Sequence, residues 1–133
     1  MIILVMGLSG SGKTTLARRL AQDIGCTHIN ADEVRGSSKD WDFSLAGRER
    51  QARRLNILAS DLKNKGVCAV VDFICPTNKL QQMFKADYVI WMDTVKSSKY
   101  LDTDAIFEAP PHYNYKVSSW GTPYLKDILE GIL

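Results

Sequence analysis

Near the amino end, Gly7-Leu8-Ser9-Gly10-Ser11-Gly12-Lys13-Thr14 places three glycines, a lysine and a hydroxyl in the spacing G-x-x-x-x-G-K-[ST]. Glycines let a backbone curl until successive N–H groups point at one anion. Lys13 adds a mobile positive charge for β- and γ-phosphates, and the Thr14 hydroxyl can ligate Mg²⁺. A helix opening here would turn its positive end to the same place. The segment therefore predicts a site for ATP with Mg²⁺, formed by Gly7, Ser9, Gly10, Ser11, Gly12, Lys13, Thr14 and Thr15. For Ser9, Ser11 and Thr15, loop filling or capping is the plainer alternative.

Moving a phosphoryl group requires a carboxylate that orients or deprotonates the acceptor, and cations that balance the transferring charge. Asp32, just after the short segment 26–30, is the candidate carboxylate, and with Lys13 it forms the expected catalytic pair; its other reading is the N-cap of a small turn. Its strand is expected beside the strand that carries the glycine loop. Asp72 ends the run Val67-Cys68-Ala69-Val70-Val71, the pattern of an aspartate that orients Mg²⁺ through water, and a capping or loop role fits it equally. The residues do not divide base and metal roles between the two, so the expected metal set is Thr14, Asp32 and Asp72. Asp93, after a later apolar run, reads as structural. Arg48, Gln51 and Arg54 fall near one face of a helix. A guanidinium there suits sulfate or phosphate, whereas a solvated face is the default for such a charge run. Arg35 is a second candidate for an anionic acceptor.

These residues need a scaffold that gathers them. Residues 2–6 form a continuous apolar run suited to a central strand covered on both faces. Residues 14–24 have Leu16, Leu20 and Ile24 at helical spacing, and Gly25 stops them. The periodicity predicts a strand at 26–30, mostly loop at 31–43 with one helical turn as the alternative, and a helix from Ser44 to about 65 that buries Leu55, Leu58 and Leu62. A strand at 67–73, a short helix at 79–84 and a strand at 86–92 follow. Residues 96–114 read as irregular, 115–118 as a last strand, and 122–133 as an amphipathic helix whose Leu125, Ile128, Leu129 and Ile132 pack on its own sheet or on a second copy as a homodimer. Alternating strands and helices imply right-handed crossovers, with ligands beyond the carboxyl ends of the strands. The expected fold is α/β: a three-layer P-loop NTPase fold with a central parallel sheet flanked by helices, forming one domain over 1–133.

The composition agrees with this. The chain has 133 residues, 45% hydrophobic and 24% charged, with a formal net charge of +2. That charge is weak evidence for nucleic acid, and no run is long enough to span a membrane. With no basic leader before the first apolar run, a cytoplasmic location is expected, with Cys26, Cys68 and Cys75 as reduced, buried thiols.

Beyond the loop pattern, the sequence resembles the adenylylsulfate kinase (APS kinase) family. Residues 7–17 are close to that family's GLSGAGKTTLA. Asn30-Ala31-Asp32-Glu33-Val34-Arg35 resembles its DGDNVR, Phe43-Ser44 with Arg48 and Arg53-Arg54 its FS…DR..NIRR, Phe73-Ile74-Cys75-Pro76 its FISP, and Phe107-Glu108-Ala109-Pro110 its YEAP. The resemblance implies transfer of the ATP γ-phosphate to the 3′-hydroxyl of adenosine 5′-phosphosulfate (APS). It implies Asp32 as base or Mg²⁺ organiser, Arg35, Arg48 and Gln51 on the sulfate–phosphate end, and Phe43 and Tyr100 stacked on adenine.

The sequence also departs from that pattern. Asn30 stands for the family's first aspartate, Gln51 for an asparagine, Cys75 for a serine, and Asp72 for a small residue. Only residues 95–99 stand where the family inserts a long basic lid, which excludes water and supplies positive charge. Weak or altered catalysis, an exposed site, or a different acceptor is the expectation. Alternatives are a kinase for another small hydroxyl or nucleotide acceptor, and a nucleotide-binding module without transfer. A polynucleotide-end kinase has only the arginine helix in its favour.

Overall fold

The computed structural model describes residues 1–119 and 124–132. Ile2–Met6 (β1) is buried at every position, as a strand covered on both faces must be. It is the middle strand of a five-stranded, all-parallel sheet of order β2-β3-β1-β4-β5. The other strands are Thr27–Asn30 (β2), Ala69–Phe73 (β3), Tyr88–Met92 (β4) and Tyr115–Val117 (β5). β2 thus pairs with β3 and not, as expected, with β1; Asn30 is the register partner of Asp72.

Alternation along the strands divides the core in two. Ile3, Val5 and Val70 face Lys13–Ile24 (α1) and Tyr124–Ile132 (α6), meeting Leu16, Leu20 and Ile128. Leu4, Met6 and Val71 face Leu45–Asn64 (α3) and Asn78–Met83 (α4), meeting Ala52, Leu55, Leu80 and Phe84. This gives the three layers expected. The apolar side of α6 is used within the chain, with Ile128 fully buried and Leu125, Leu129 and Ile132 packed beside it. The expected ends of this helix, Thr122 and Leu133, lie outside the described residues.

Two stretches expected to be irregular contain helices. Ala31–Ser38 (α2) forms because the Asn30 side chain accepts from the Glu33 N–H at 2.9 Å, with Asp32 and Glu33 in the first turn complementing the helix dipole. Leu101–Ile106 (α5) interrupts 96–114. Ser44 caps α3 as expected, its Oγ accepting from Gly47 N–H at 3.2 Å. Leu58 is 40% exposed rather than buried: it sits at the margin of the face that Leu55 and Ala59 bury.

The cysteine expectation is half corrected. Cys75 is free and buried, and burial pushes its thiol up. Cys26 and Cys68, however, form a disulfide. Their strands start side by side, with Thr27 N–H donating to Cys68 O at 2.9 Å, which brings the two Cα atoms within 4.7 Å. Among the described residues no helix is long and apolar enough to cross a membrane.

Candidate functional site

The turn between β1 and α1 is wound tightly beneath the end of β4. A Cβ on Gly7 would lie 2.6 Å from the Met92 carbonyl oxygen and 2.8 Å from Ser11 Oγ, so only glycine fits. Ser11 N–H donates to Leu8 O at 3.1 Å, and Thr94 Oγ1 donates to Ser11 O at 2.7 Å, fixing the turn from both sides. Ser11 itself is fully buried and, like Gly7, does not line the hollow over the loop. Gly10, Gly12, Lys13, Thr14 and Thr15 front an open hollow of about 330 Å³.

A second cavity, of about 460 Å³, lies over the carboxyl ends of β2 and β3. Its walls include Ser9, Asp32, Phe43, Arg48, Asp72 and Tyr100. Lys13 and Thr14 line both hollows and form the wall between them. Burial lowers the Lys13 ammonium from its ordinary range, and nearby Asp72 and Asp32 pull it back up. Its Nζ is 3.5 Å from Leu8 O.

The two candidate aspartates stand in different surroundings. Asp72 is 2% exposed, and three side chains converge on it. Thr14 Oγ1 donates to Oδ1 at 2.9 Å, Asn30 Nδ2 reaches both oxygens at 3.0 and 3.2 Å, and His28 Nε2 meets Oδ2 at 2.5 Å. Asp32 is exposed at the cavity, and its carboxylate makes no hydrogen bond or ion pair among the described residues.

The acceptor candidates separate into those that line the cavity and those that brace it. Phe43, Arg48 and Tyr100 line it. Arg48 is held by Nε to Phe43 O at 2.9 Å and Nη2 to Thr103 Oγ1 at 3.1 Å. Arg35 does not line it: it is buried under Phe43, its guanidinium carbon 4.4 Å from the ring centroid, with Nη1 donating to Asp40 O and Asp42 O. Gln51 is fully buried, with Nε2 donating to Ala31 O at 2.8 Å and Oε1 accepting from Arg54 at 2.6 Å. Both polar atoms of the Gln51 amide are therefore spent: Nε2 ties α3 to the segment that carries Asp32, and Oε1 holds Arg54 on the same helix. Arg54 also reaches Asp40 Oδ2 at 2.8 Å and serves the same scaffold. Asp93 pairs with Lys96 and Lys116, in keeping with a structural role.

Sequence reasoning gave no role to His28, Trp41 or Thr103. His28 could have been found, because alternation puts positions 28 and 30 on one face of β2 and register puts Asn30 against Asp72. Trp41, 55% exposed at the cavity wall, follows from no periodicity, since the 39–44 loop is shaped by Arg35, Arg50 and Arg54 drawing in Asp40 and Asp42. Thr103 lies on α5, a helix that the sequence pattern did not reveal.

The family model described as adenylylsulphate kinase matches residues 1–98. An adenylyl-sulfate kinase of Chloroflexus aurantiacus is 39% identical over 82 residues, covering 57% of this chain and 44% of that protein. The chain spans about half the length of the curated relatives it matches. The APS kinase of Mycobacterium tuberculosis, solved in complex with AMPPNP and APS, superposes with a TM-score of 0.81 at 20% identity, covering 98% of this chain and 96% of that one. A sugar kinase from Janibacter sp. gives 0.76 at 18% identity, covering 98% and 93%. At such identities the structural likeness speaks for the fold alone.

Proposed function

Because this chain belongs to the adenylylsulphate kinase family, we propose that it is an ATP-dependent kinase, one P-loop domain over residues 1–133, that moves the ATP γ-phosphate to the 3′-hydroxyl of adenosine 5′-phosphosulfate. The observation that carries this reading is the shared wall: Lys13 and Thr14 front both the glycine-loop hollow and the cavity that holds Asp32, Phe43, Arg48 and Tyr100. A triphosphate laid on the loop would present its terminal phosphoryl group at that wall, next to an acceptor in the cavity.

In this reading Gly10, Gly12 and the first turn of α1 hold the triphosphate through backbone N–H groups, and Lys13 neutralises its outer phosphates. Asp32, whose oxygens are free, takes the proton of the acceptor hydroxyl; Asp72, whose oxygens are occupied by three partners, is unsuited to that task. Phe43 and Tyr100 offer exposed rings to a nucleobase, and Arg48 offers charge to the anionic end.

Mg²⁺ fits the donor set. No cluster of three or more His, Cys, Asp or Glu side chains among the described residues could cage a metal. Mg²⁺ needs none, since it is ordinarily held by one or two protein oxygens, waters and substrate phosphates. Thr14, with Asp32 and Asp72 nearby, would hold it, and when bound it supplies charge neutralisation between the phosphates.

The proposed partners are small molecules, with neither nucleic acid nor membrane. A homodimer would have to form through a surface other than the apolar side of α6. The cytoplasm is the proposed location because ATP is there; the Cys26–Cys68 disulfide is the feature that weighs against it. A second reading, a kinase for another hydroxyl acceptor, is favoured by the openness of the site, since residues 93–100 form neither helix nor strand over it.

A thermal-shift panel with ATP–Mg²⁺, ADP, APS and PAPS, followed by single-turnover transfer from ATP, tests the proposal. Selective stabilisation by the sulfated nucleotides and formation of PAPS are expected. Stabilisation by ATP with no response to APS or PAPS would turn the reading to another acceptor. ATP binding with no product from any acceptor would leave a binding module.

A further inference from the structure

We propose that His28 is a positioning residue of the phosphate site, acting through the Asp72 carboxylate on the Thr14 hydroxyl. The inference rests on the nucleotide-site reading above and assigns a role to the cluster on the α1 face of β2 and β3.

A threonine hydroxyl has one proton and two lone pairs. Thr14 gives its proton to Asp72 Oδ1 at 2.9 Å, which fixes the rotor and turns the lone pairs away from Asp72. That direction is useful only while the carboxylate plane is itself fixed. Asn30 Nδ2 bridges both carboxylate oxygens, and its amide cannot flip, because Asn30 Oδ1 is occupied by Glu33 N–H at the start of α2. The bridge is shared between the two oxygens at 3.0 and 3.2 Å, and Thr14 engages only Oδ1, so Oδ2 has no partner of its own from either residue. His28 supplies it, because Nε2 meets Oδ2, the oxygen that Thr14 does not use. Hydrogen-bond chains of this kind orient a ligating group without touching the ligand, as outer-shell partners do at metal sites.

The arrangement fits a positioning role better than a packing one. Asp72 is nearly inaccessible, with its side chain 3% exposed, whereas the His28 side chain is 19% exposed on an edge strand. Removing the imidazole vacates a largely buried position and also frees one oxygen of a buried carboxylate, and His28→Gln, which keeps a donor, separates the two effects. A residue present only for packing would have no reason to aim a ring nitrogen at the oxygen opposite Thr14.

The test measures binding, not turnover. The affinity of the full chain for a non-hydrolysable ATP analogue is measured with Mg²⁺ and with EDTA, for the parent, His28→Ala, His28→Gln, Thr14→Ala and His28→Ala/Thr14→Ala. For His28→Ala, a loss of about tenfold is expected in Mg²⁺ with little change in EDTA. His28→Gln, whose amide can donate, should recover most of it. In the Thr14→Ala background the His28 change should have no further effect, since both act on one hydroxyl. Equal losses in Mg²⁺ and EDTA, an unchanged His28→Ala, no recovery by His28→Gln, or additivity with Thr14→Ala would each overturn the inference while leaving the nucleotide site standing. A parent chain that binds the analogue in neither condition would remove the nucleotide-site reading and this inference with it.

Discussion

Asn30 and Asp72 are register partners on neighbouring strands, and the Asn30 amide donates to both oxygens of the nearly inaccessible Asp72 carboxylate. The same Asn30 caps α2 through its other amide atom. Asn30→Asp keeps the cap, since aspartate caps as well as asparagine, but sets a second carboxylate against a buried one. The variant should lose about 2 kcal/mol or more, the cost of stripping a donor from a buried charge, measured by urea denaturation at pH 7. Asn30→Asp/Asp72→Asn, which moves the charge to the other strand, should recover most of the loss.

Lys13 and Asp32 should separate binding from transfer. Lys13→Ala is expected to weaken nucleotide affinity at least about tenfold, the loss of a charge-assisted bond. Asp32→Ala should leave that affinity within about twofold and lower the single-turnover rate by roughly two to four orders of magnitude, the usual contribution of a positioned base. Transfer at the parent rate by Asp32→Ala would move the base role elsewhere.

Phe43 is 47% exposed, and its ring covers the Arg35 guanidinium at 4.4 Å, so removing it costs roughly one cation–π contact. Phe43→Ala should change stability by less than about 1 kcal/mol. If the ring stacks on a base, worth about 1–3 kcal/mol, the KM for the acceptor should rise roughly tenfold with the KM for ATP unchanged.

The 39–44 loop should fail in acid. Hydrogen bonds from the Arg50 side chain hold Asp42 at about 2, below its ordinary 3.8; Arg50 and Arg54 push Asp40 lower still. A carboxyl whose folded value is depressed stabilises above its unfolded value and loses that contribution as pH falls through the folded one. The loop is expected to hold at pH 5 and loosen between about pH 4 and pH 2. Trp41 fluorescence should report the change, with Trp41→Phe as the control. Asp40→Asn should show the loosened state at neutral pH.

Cutting the Cys26–Cys68 bond frees a loop with a sequence separation of 42. On the chain-entropy account this costs about 4 kcal/mol. Cys68→Ser should lower the midpoint of urea unfolding accordingly, and a thiol reductant should do the same to the parent chain.

What the sequence disclosed, and what it hid, follows the range of the forces involved. The glycine loop, β1 and α1 were legible because their signals are local: an apolar run, a fixed spacing and a helical stripe ended by Gly25. The Ser44 cap was legible for the same reason. The order of the strands was not, because nothing in 26–30 says which neighbour it meets, and this hid the contact of Asp72 with Asn30 and His28. Helix α2 runs beyond the single turn its sequence suggests because one asparagine carries its start, within a stretch with few apolar residues. The buried state of Gln51 and Arg35 is not legible, because a polar side chain in sequence gives no sign whether a ligand or the chain itself takes its hydrogen bonds, and here backbone carbonyls and Arg54 take them. The disulfide required knowing that residues 26 and 68 stand just before two adjacent strands.

The wall that Lys13 shares between the two hollows has a consequence for the order of events in turnover. On the proposed reading one ammonium would face two negatively charged guests, so the occupancies of the two sides would be linked, and by reciprocity each guest would alter the hold on the other by the same factor. Whichever guest arrived first would draw on that charge and leave less for the second. After transfer, each product would meet a cation already engaged by its neighbour. Arrival sequence and product departure would then be governed in part by a single side chain.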